Sequence, residues 1–145
     1  MARRIRQAVE IAASPEACWR AFRRRAEWPR WFPLLESLEG PPGDVELVVG
    51  DELHLRLVFH GRGATVRVHV AEVEPGRRVR WLGRGFGVTG DHAFSVEPAA
   101  GGARFVSDET FSGLPVRLLP RRLFDALERE AAAGLARFAA LVTAA

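Results

Sequence analysis

Between Asp51 and Phe111 apolar residues return at every second position, and a period of two marks strands that bury one face. Leu53, Leu55, Leu57 and Phe59 alternate with His54, Arg56, Val58 and His60, and Val66, Val68 and Val70 alternate with Arg67, His69 and Ala71. The pattern continues through Val79 and Trp81, then Val88, His92, Phe94 and Val96, and ends with Phe105, Ser107, Glu109 and Phe111. Turn-forming pairs separate the runs at Gly61-Arg62, Pro75-Gly76 and Gly85-Phe86. Two-residue hairpins there set His60 opposite Gly63, Glu74 opposite Arg77 and Arg84 opposite Gly87. Carried down the strands, those registers put Leu57 across from Val66, Val70 across from Trp81 and Val79 across from His92. Directly opposed residues share a face, so every apolar set lands on one side. The expectation is an antiparallel meander with one continuous inner surface, its last two strands joined by a loop at residues 97–102.

The flanks supply a first strand and the helices. Residues 3–12 alternate, with Ile5, Gln7, Val9 and Ile11 on one side. Ser14 then offers an N-cap, Pro15 suits the first helical position, and Glu16 favours the positive end of the helix dipole. Cys18, Trp19, Ala21 and Phe22 form the apolar face of that helix. Its wet face carries Arg20, Arg23 and Arg24. The prolines in Trp28-Pro29-Arg30-Trp31-Phe32-Pro33 forbid a long helix and predict a short helical turn leading into a strand at residues 34–39. After Gly113-Leu114-Pro115, the residues Leu123, Phe124, Leu127, Ala131, Leu135, Phe138, Leu141 and Val142 recur at three- and four-residue spacing. Pro120 suits the first turn of that long helix, and Gly134 inside it costs about 1 kcal/mol relative to alanine.

Composition bounds the chemistry. A 145-residue chain with 48% hydrophobic residues suits one domain over residues 1–145, with a core that needs no staple. Tyrosine is absent, and all 21 basic residues are arginine, which excludes a phenolic acid, a Schiff-base lysine and a catalytic ammonium. The sequence pI of 10.7 reflects the high pKa of arginine, whereas the net charge is only +3, so no nucleic-acid partner is expected. Cys18 is the single cysteine and allows no internal disulfide. With no apolar run of membrane-spanning length and no signal-peptide core at the start, a cytoplasmic location is the expectation.

Several residues invite a chemical reading. Gly85-Phe86-Gly87-Val88-Thr89-Gly90 matches a phosphate-cradling glycine pattern, but that motif must open a helix and DHAFSVE reads as a strand, so a hairpin turn is expected. His54 and His69 are expected as outward cross-strand neighbours without a third ligand, so no metal site is assigned. His92 points inward by parity, as do Ser107 and Glu109 on the neighbouring strand. A buried carboxyl holds its proton more tightly, which makes Glu109 a candidate proton donor or acceptor beside His92; the structural readings, which take precedence, are an ion pair of Glu109 with a rim arginine and a hydrogen-bonded core role for His92. Cys18 is assigned to packing. Arg23-Arg24-Arg25, with Arg20 and Arg30, form a solvated face whose alternative role is transient contact with acidic lipid headgroups.

The whole order of elements resembles the helix-grip fold of the START-like (SRPBCC) superfamily, in particular its polyketide cyclase/dehydrase and lipid-transport group. The family's Ser/Ala-Pro-Glu helix start, following Val-Trp and Trp-Pro-x-Trp turn correspond here to SPEACWRAF and WPRWFP, with Cys18 where an aliphatic residue is usual. GDHAFSVEPAAGGARFVSDETFSG is similar to the family's penultimate hairpin. The resemblance implies an α+β fold: a curved seven-stranded antiparallel sheet wrapped around a long C-terminal helix, with two short helices between the first and second strands. A cavity between sheet and helix would be lined by Leu55, Leu57, Phe59, Val66, Val68, Val70, Trp81, His92, Phe94, Ser107, Glu109 and Phe111, with Phe124, Leu127 and Leu135 from the helix. Trp28, Trp31 and Phe32 would form its rim. The expected function is binding or transport of a small hydrophobic or aromatic ligand, such as a lipid, isoprenoid or polyketide, without a cofactor. The alternatives are a polyketide aromatase/cyclase or dehydratase using His92 and Glu109, and a protein-interaction module whose inner face is a filled core.

Overall fold

The computed structural model describes residues 2–144. Its strands are β1 (Ala2–Ile11), β2 (Leu35–Glu39), β3 (Glu52–Phe59), β4 (Arg62–Glu74), β5 (Arg78–Gly85), β6 (Val88–Ala99) and β7 (Gly102–Ser112). The helices are α1 (Pro15–Arg23) and α2 (Arg121–Ala144), with 3-10 helices at Arg25–Arg30 and Leu114–Leu118. All seven strands form one antiparallel sheet in the order β1-β7-β6-β5-β4-β3-β2. The expected helix-grip architecture is therefore the observed one.

Side-chain faces follow the expected parity, although three turns differ in detail. The β3–β4 and β5–β6 turns centre on His60-Gly61 and Phe86-Gly87, where all four residues have φ between 51° and 78°. That conformation is the mirror-image turn whose twist matches paired strands, and glycine at its second position tolerates it best. Moving a turn centre by one residue moves the register by two, so Leu57 faces Ala64 and His92 faces Trp81, yet each stays on its expected face. The β4–β5 turn has three residues, pairing Glu74 with Arg78, and a bulge at Ala71 restores the expected Val70–Trp81 pair. Residues 97–102 are not a loop. Ala99 pairs with Gly102 across a tight Ala100-Gly101 turn.

Ser14 caps α1 as the sequence suggests, its Oγ accepting from the Ala17 N–H at 3.1 Å. Cys18, Trp19 and Phe22 are buried, and burial pushes the Cys18 thiol pKa up, as expected of an inert packing cysteine. The arginine run that follows is not one solvated face. Arg25 is 4% exposed and donates to the carbonyls of Pro41 and Val45 at 3.2 and 2.9 Å, clamping the β2–β3 loop beneath the 3-10 helix. Arg23 lies 3.5 Å from Glu46.

The tryptophan-rich turn is a plug rather than a rim. Trp28 and Trp31 are 0% and 1% exposed, and the Trp28 indole N–H donates to the Phe22 carbonyl at 2.7 Å. Their rings join Phe22, Phe32, Phe94, Phe105 and Phe138 in a continuous aromatic cluster with centroid separations of 4.3–6.2 Å. Leu135, Phe138 and Val142 of α2 close this cluster, while Phe124 packs with Ile5 and Val116 in a second one. Much of the space expected between sheet and helix is thus filled.

Gly134 explains how closely α2 approaches the plug. A Cβ there would stand 2.7 Å from the Trp31 carbonyl oxygen and 2.9 Å from Pro33 Cγ. Helix propensity alone favours Gly134→Ala by about 1 kcal/mol, but the clash reverses the sign. Urea unfolding should show Gly134→Ala less stable by about 1–2 kcal/mol. A gain in stability would mean that the crossing relaxes freely.

Candidate ligand cavity

A cavity of about 270 Å3 opens in the concave face over β3–β7, away from the plug. Leu55 and Leu57 of β3, Val66 and Val68 of β4, Trp81 of β5 and Phe111 of β7 form its apolar walls, and Phe32 closes it on the plug side. Val88 and Phe86 stand at the β5–β6 turn, where Phe86 is 95% exposed. The room comes from missing side chains. Gly83 and Gly90 are a directly opposed cross-strand pair on the inward face, and both line the cavity. An inward glycine in a strand removes the wall a larger residue would build.

Four polar residues line this cavity, and two of them point inward, His92 on β6 and Glu109 on β7, directly opposed in the register; Thr65 and Arg84 border it from outward-facing positions. His92 Nε2 lies 2.8 Å from Ser107 Oγ, and Nδ1 lies 3.4 Å from a Glu109 carboxyl oxygen. The imidazole packs among Phe32, Trp81 and Phe94 at centroid distances of 5.9, 5.6 and 4.3 Å. Burial there lowers its pKa to about 3, against a weaker opposing pull from Asp108. Burial also raises the Glu109 pKa to about 7, although the side chain keeps 30% of its exposure through the apolar-walled cavity.

Burial keeps the imidazole neutral, and two tautomers fit the geometry. With Glu109 protonated, its O–H faces an unprotonated Nδ1 and the Nε2–H donates to Ser107 Oγ. Once Glu109 ionises, Nδ1–H faces the carboxylate and the Ser107 hydroxyl donates to Nε2. The order serine, histidine, carboxylate is that of a hydrolytic triad, but here the carboxyl faces the cavity and Ser107, 7% exposed, does not line it. The arrangement suits a hydrogen bond or proton exchange at Glu109, not attack by serine.

The expected lining is corrected in part. Leu55, Leu57, Val66, Val68, Trp81, His92, Glu109 and Phe111 line the cavity, and so does Phe32. Val70, Phe94 and Leu135 lie in the aromatic core, Phe124 and Leu127 belong to the second cluster, and Ser107 sits behind His92. Phe59 ends β3 at the turn and packs on His60 at 4.2 Å. No described residue of α2 lines this cavity, because the plug occupies the intervening space. The contributions of Gly83, Gly85, Gly90, Phe86 and Val88 were not anticipated; glycines at successive inward positions were the available signal. On the outer face, His54 and His69 are not opposed. Glu52 faces His69, lies 3.5 Å from each imidazole, and is partly exposed.

The fold is that of a helix-grip domain, a class that includes hydrophobic-ligand binders, and an apolar recess opens in its concave face. The family described as polyketide cyclase/dehydrase and lipid transport matches residues 2–143, and the chain belongs to it. Among solved structures it is similar to TTHA0849 from Thermus thermophilus, at 18% identity and TM-score 0.78, with 98% of each chain covered. The Zhui aromatase/cyclase from Streptomyces sp. R1128 aligns at 16% identity and TM-score 0.77, over 99% of this chain and 94% of that one. The protein Ara h 8.0201 aligns over the full length of both chains at 13% identity and TM-score 0.75. No curated protein matches the sequence. Among the described residues no helix is long and apolar enough to cross a membrane.

Proposed function

We propose that this protein binds a small aromatic or otherwise apolar molecule carrying one hydroxyl or carbonyl group, with the apolar part over Gly83 and Gly90 and the polar group at Glu109. The observation that carries this reading is the apolar cavity with Glu109 and His92 as its converging polar pair. Size narrows the ligand. An apolar cavity of about 150 Å3 accommodates benzene, so 270 Å3 suits a one- or two-ring molecule, with any longer chain emerging past Phe86. This residual space favours a ligand over a wholly filled interaction module.

Extraction of purified protein followed by native mass spectrometry tests occupancy, and isothermal titration calorimetry with a naphthol tests affinity. Gly90→Leu should weaken naphthol binding by at least about tenfold while preserving the fold. A Cβ at Gly90 meets nothing closer than Phe111 at 3.9 Å, so the added carbons project into the cavity without displacing the sheet. Unchanged affinity in the folded variant sinks this placement of the ligand.

The second reading is an aromatase/cyclase or dehydratase. Glu109 supports it, because a carboxyl with a pKa of about 7 is matched to proton transfer near neutrality and is backed by His92 and Ser107. Turnover of a poly-β-ketone that disappears in Glu109→Gln would establish this reading; binding without turnover leaves a carrier.

A further inference from the structure

We infer that the rim around Phe86 is a docking surface for an anionic lipid bilayer. Three of the strongly exposed large apolar residues, Phe86, Leu114 and Leu118, are 95%, 71% and 84% exposed. They belong to adjoining segments. A Cβ built on Gly87 would be 3.2 Å from Pro115 Cγ, and one built on Gly113 would collide with the Gly87 carbonyl, so the β5–β6 turn and the Leu114–Leu118 helix touch. Val116, 1% exposed, anchors that helix from below in the cluster holding Phe124. Phe86 also lines the cavity, so the apolar rim and the cavity share a side chain.

Phe86 is placed there against local preference. It has φ 54° in a turn where asparagine, aspartate or glycine is the unstrained choice. Neither turn geometry nor packing rewards an exposed phenylalanine there, and such an outlier points to function. Insertion into lipid supplies the missing reward.

Charge selects the partner. Arg117, Arg121 and Arg122 lie in or beside the Leu114–Leu118 helix, and none has a carboxylate partner among the described residues. Arg121 and Arg122 occupy the first turn of α2, which lacks any acidic residue, although carboxylates are the stabilising choice at that end of a helix. Unpaired arginines around exposed apolar tips match the negative surface and hydrocarbon edge of an acidic bilayer. The arginines of α1 and of the turn that follows it do not meet these conditions. Arg20, Arg24 and Arg30 border a separate groove against the end of α2, and Arg30 is paired with Glu27.

The inference stands independently of which ligand fills the cavity, because the test uses protein without added ligand. Co-sedimentation is measured with phosphatidylcholine vesicles containing about a third phosphatidylserine and with phosphatidylcholine alone. Wild type should bind the acidic vesicles, release in high salt and bind neutral vesicles weakly. Phe86→Asn, which suits the turn, should weaken binding about tenfold. Arg117→Gln should weaken it about fivefold, and the double variant Arg20→Gln/Arg24→Gln should leave it unchanged. Far-UV circular dichroism confirms that each variant is folded. Failure of wild type to bind, retention in Phe86→Asn, or loss confined to the α1 double variant overturns the assignment. So does a wild-type dimer in sedimentation velocity that Phe86→Asn dissociates, which would show that a second copy covers the rim.

Discussion

Trp28→Ala should cost about 4 kcal/mol of folding stability, a large share of the total for a domain of this size. Its indole is completely buried and lies 5.2–6.2 Å, centroid to centroid, from the rings of Phe22, Trp31, Phe32 and Trp81. Truncation removes those contacts and leaves a void under α1 and β5 that neighbours anchored on the sheet cannot close. It also leaves the Phe22 carbonyl without the N–H that now reaches it at 2.7 Å. Trp28→Phe separates the two effects. It retains an aromatic ring and should lose about 1–2 kcal/mol, chiefly the hydrogen bond and the smaller ring's missing contacts. Urea titrations of both variants measure these differences. Because Trp28 does not line the cavity, folded Trp28→Phe should keep wild-type affinity for a naphthol. A stability loss below about 1 kcal/mol for Trp28→Ala, or a large affinity loss in Trp28→Phe, would return this residue to the rim.

The sheet was legible because its signal is a parity, and parity survives small errors. Placing the turns at Gly61-Arg62 and Gly85-Phe86 instead of His60-Gly61 and Phe86-Gly87 slid each hairpin by two residues, which left His92 and Glu109 facing inward. The bulge at Ala71 likewise cancelled the longer Pro75-Gly76-Arg77 turn before the register reached Val70. Three-dimensional filling carries no such signal. Trp28 and Trp31 are as compatible with a rim as with a plug until the path of the 3-10 helix is known, and no periodicity gives that path. Arg25 was illegible for a similar reason. Its burial depends on carbonyls of Pro41, Pro42 and Val45, supplied by a loop without a repeating pattern. The cavity's floor lay in what the sequence omits, since Gly83 and Gly90 become informative only once they are known to be opposed.

Glu109→Gln should stabilise the protein above pH 7 and leave it nearly unchanged near pH 4. The folded-state pKa of Glu109 is raised by burial to about 7 from an ordinary value of 4.5. Its stability contribution is therefore fully present below about 4.5 and is lost as pH rises through 7. The shift sets an upper bound of about 3 kcal/mol, and the side chain's 30% exposure reduces the expected loss to about 2 kcal/mol. Glutamine keeps the neutral shape and has an N–H available to His92 Nδ1, so the variant escapes that loss. At pH 8 its melting temperature should exceed that of wild type by about 5 °C. His92 produces the opposite limb. Its folded pKa is depressed to about 3, so the stability tied to the neutral imidazole is present above the unfolded value of 6.5 and is lost as pH falls toward 3. That acid limb should persist in Glu109→Gln. Where a ligand carbonyl takes the Glu109 O–H from His92 Nδ1, a further signature follows: wild-type affinity falls through pH 7, whereas the variant's affinity stays flat. Parallel wild-type and variant stability curves between pH 5 and 8 would show that Glu109 is ionised well below neutrality, and would remove both its hydrogen-bond donor role and its candidacy as a proton-transfer group.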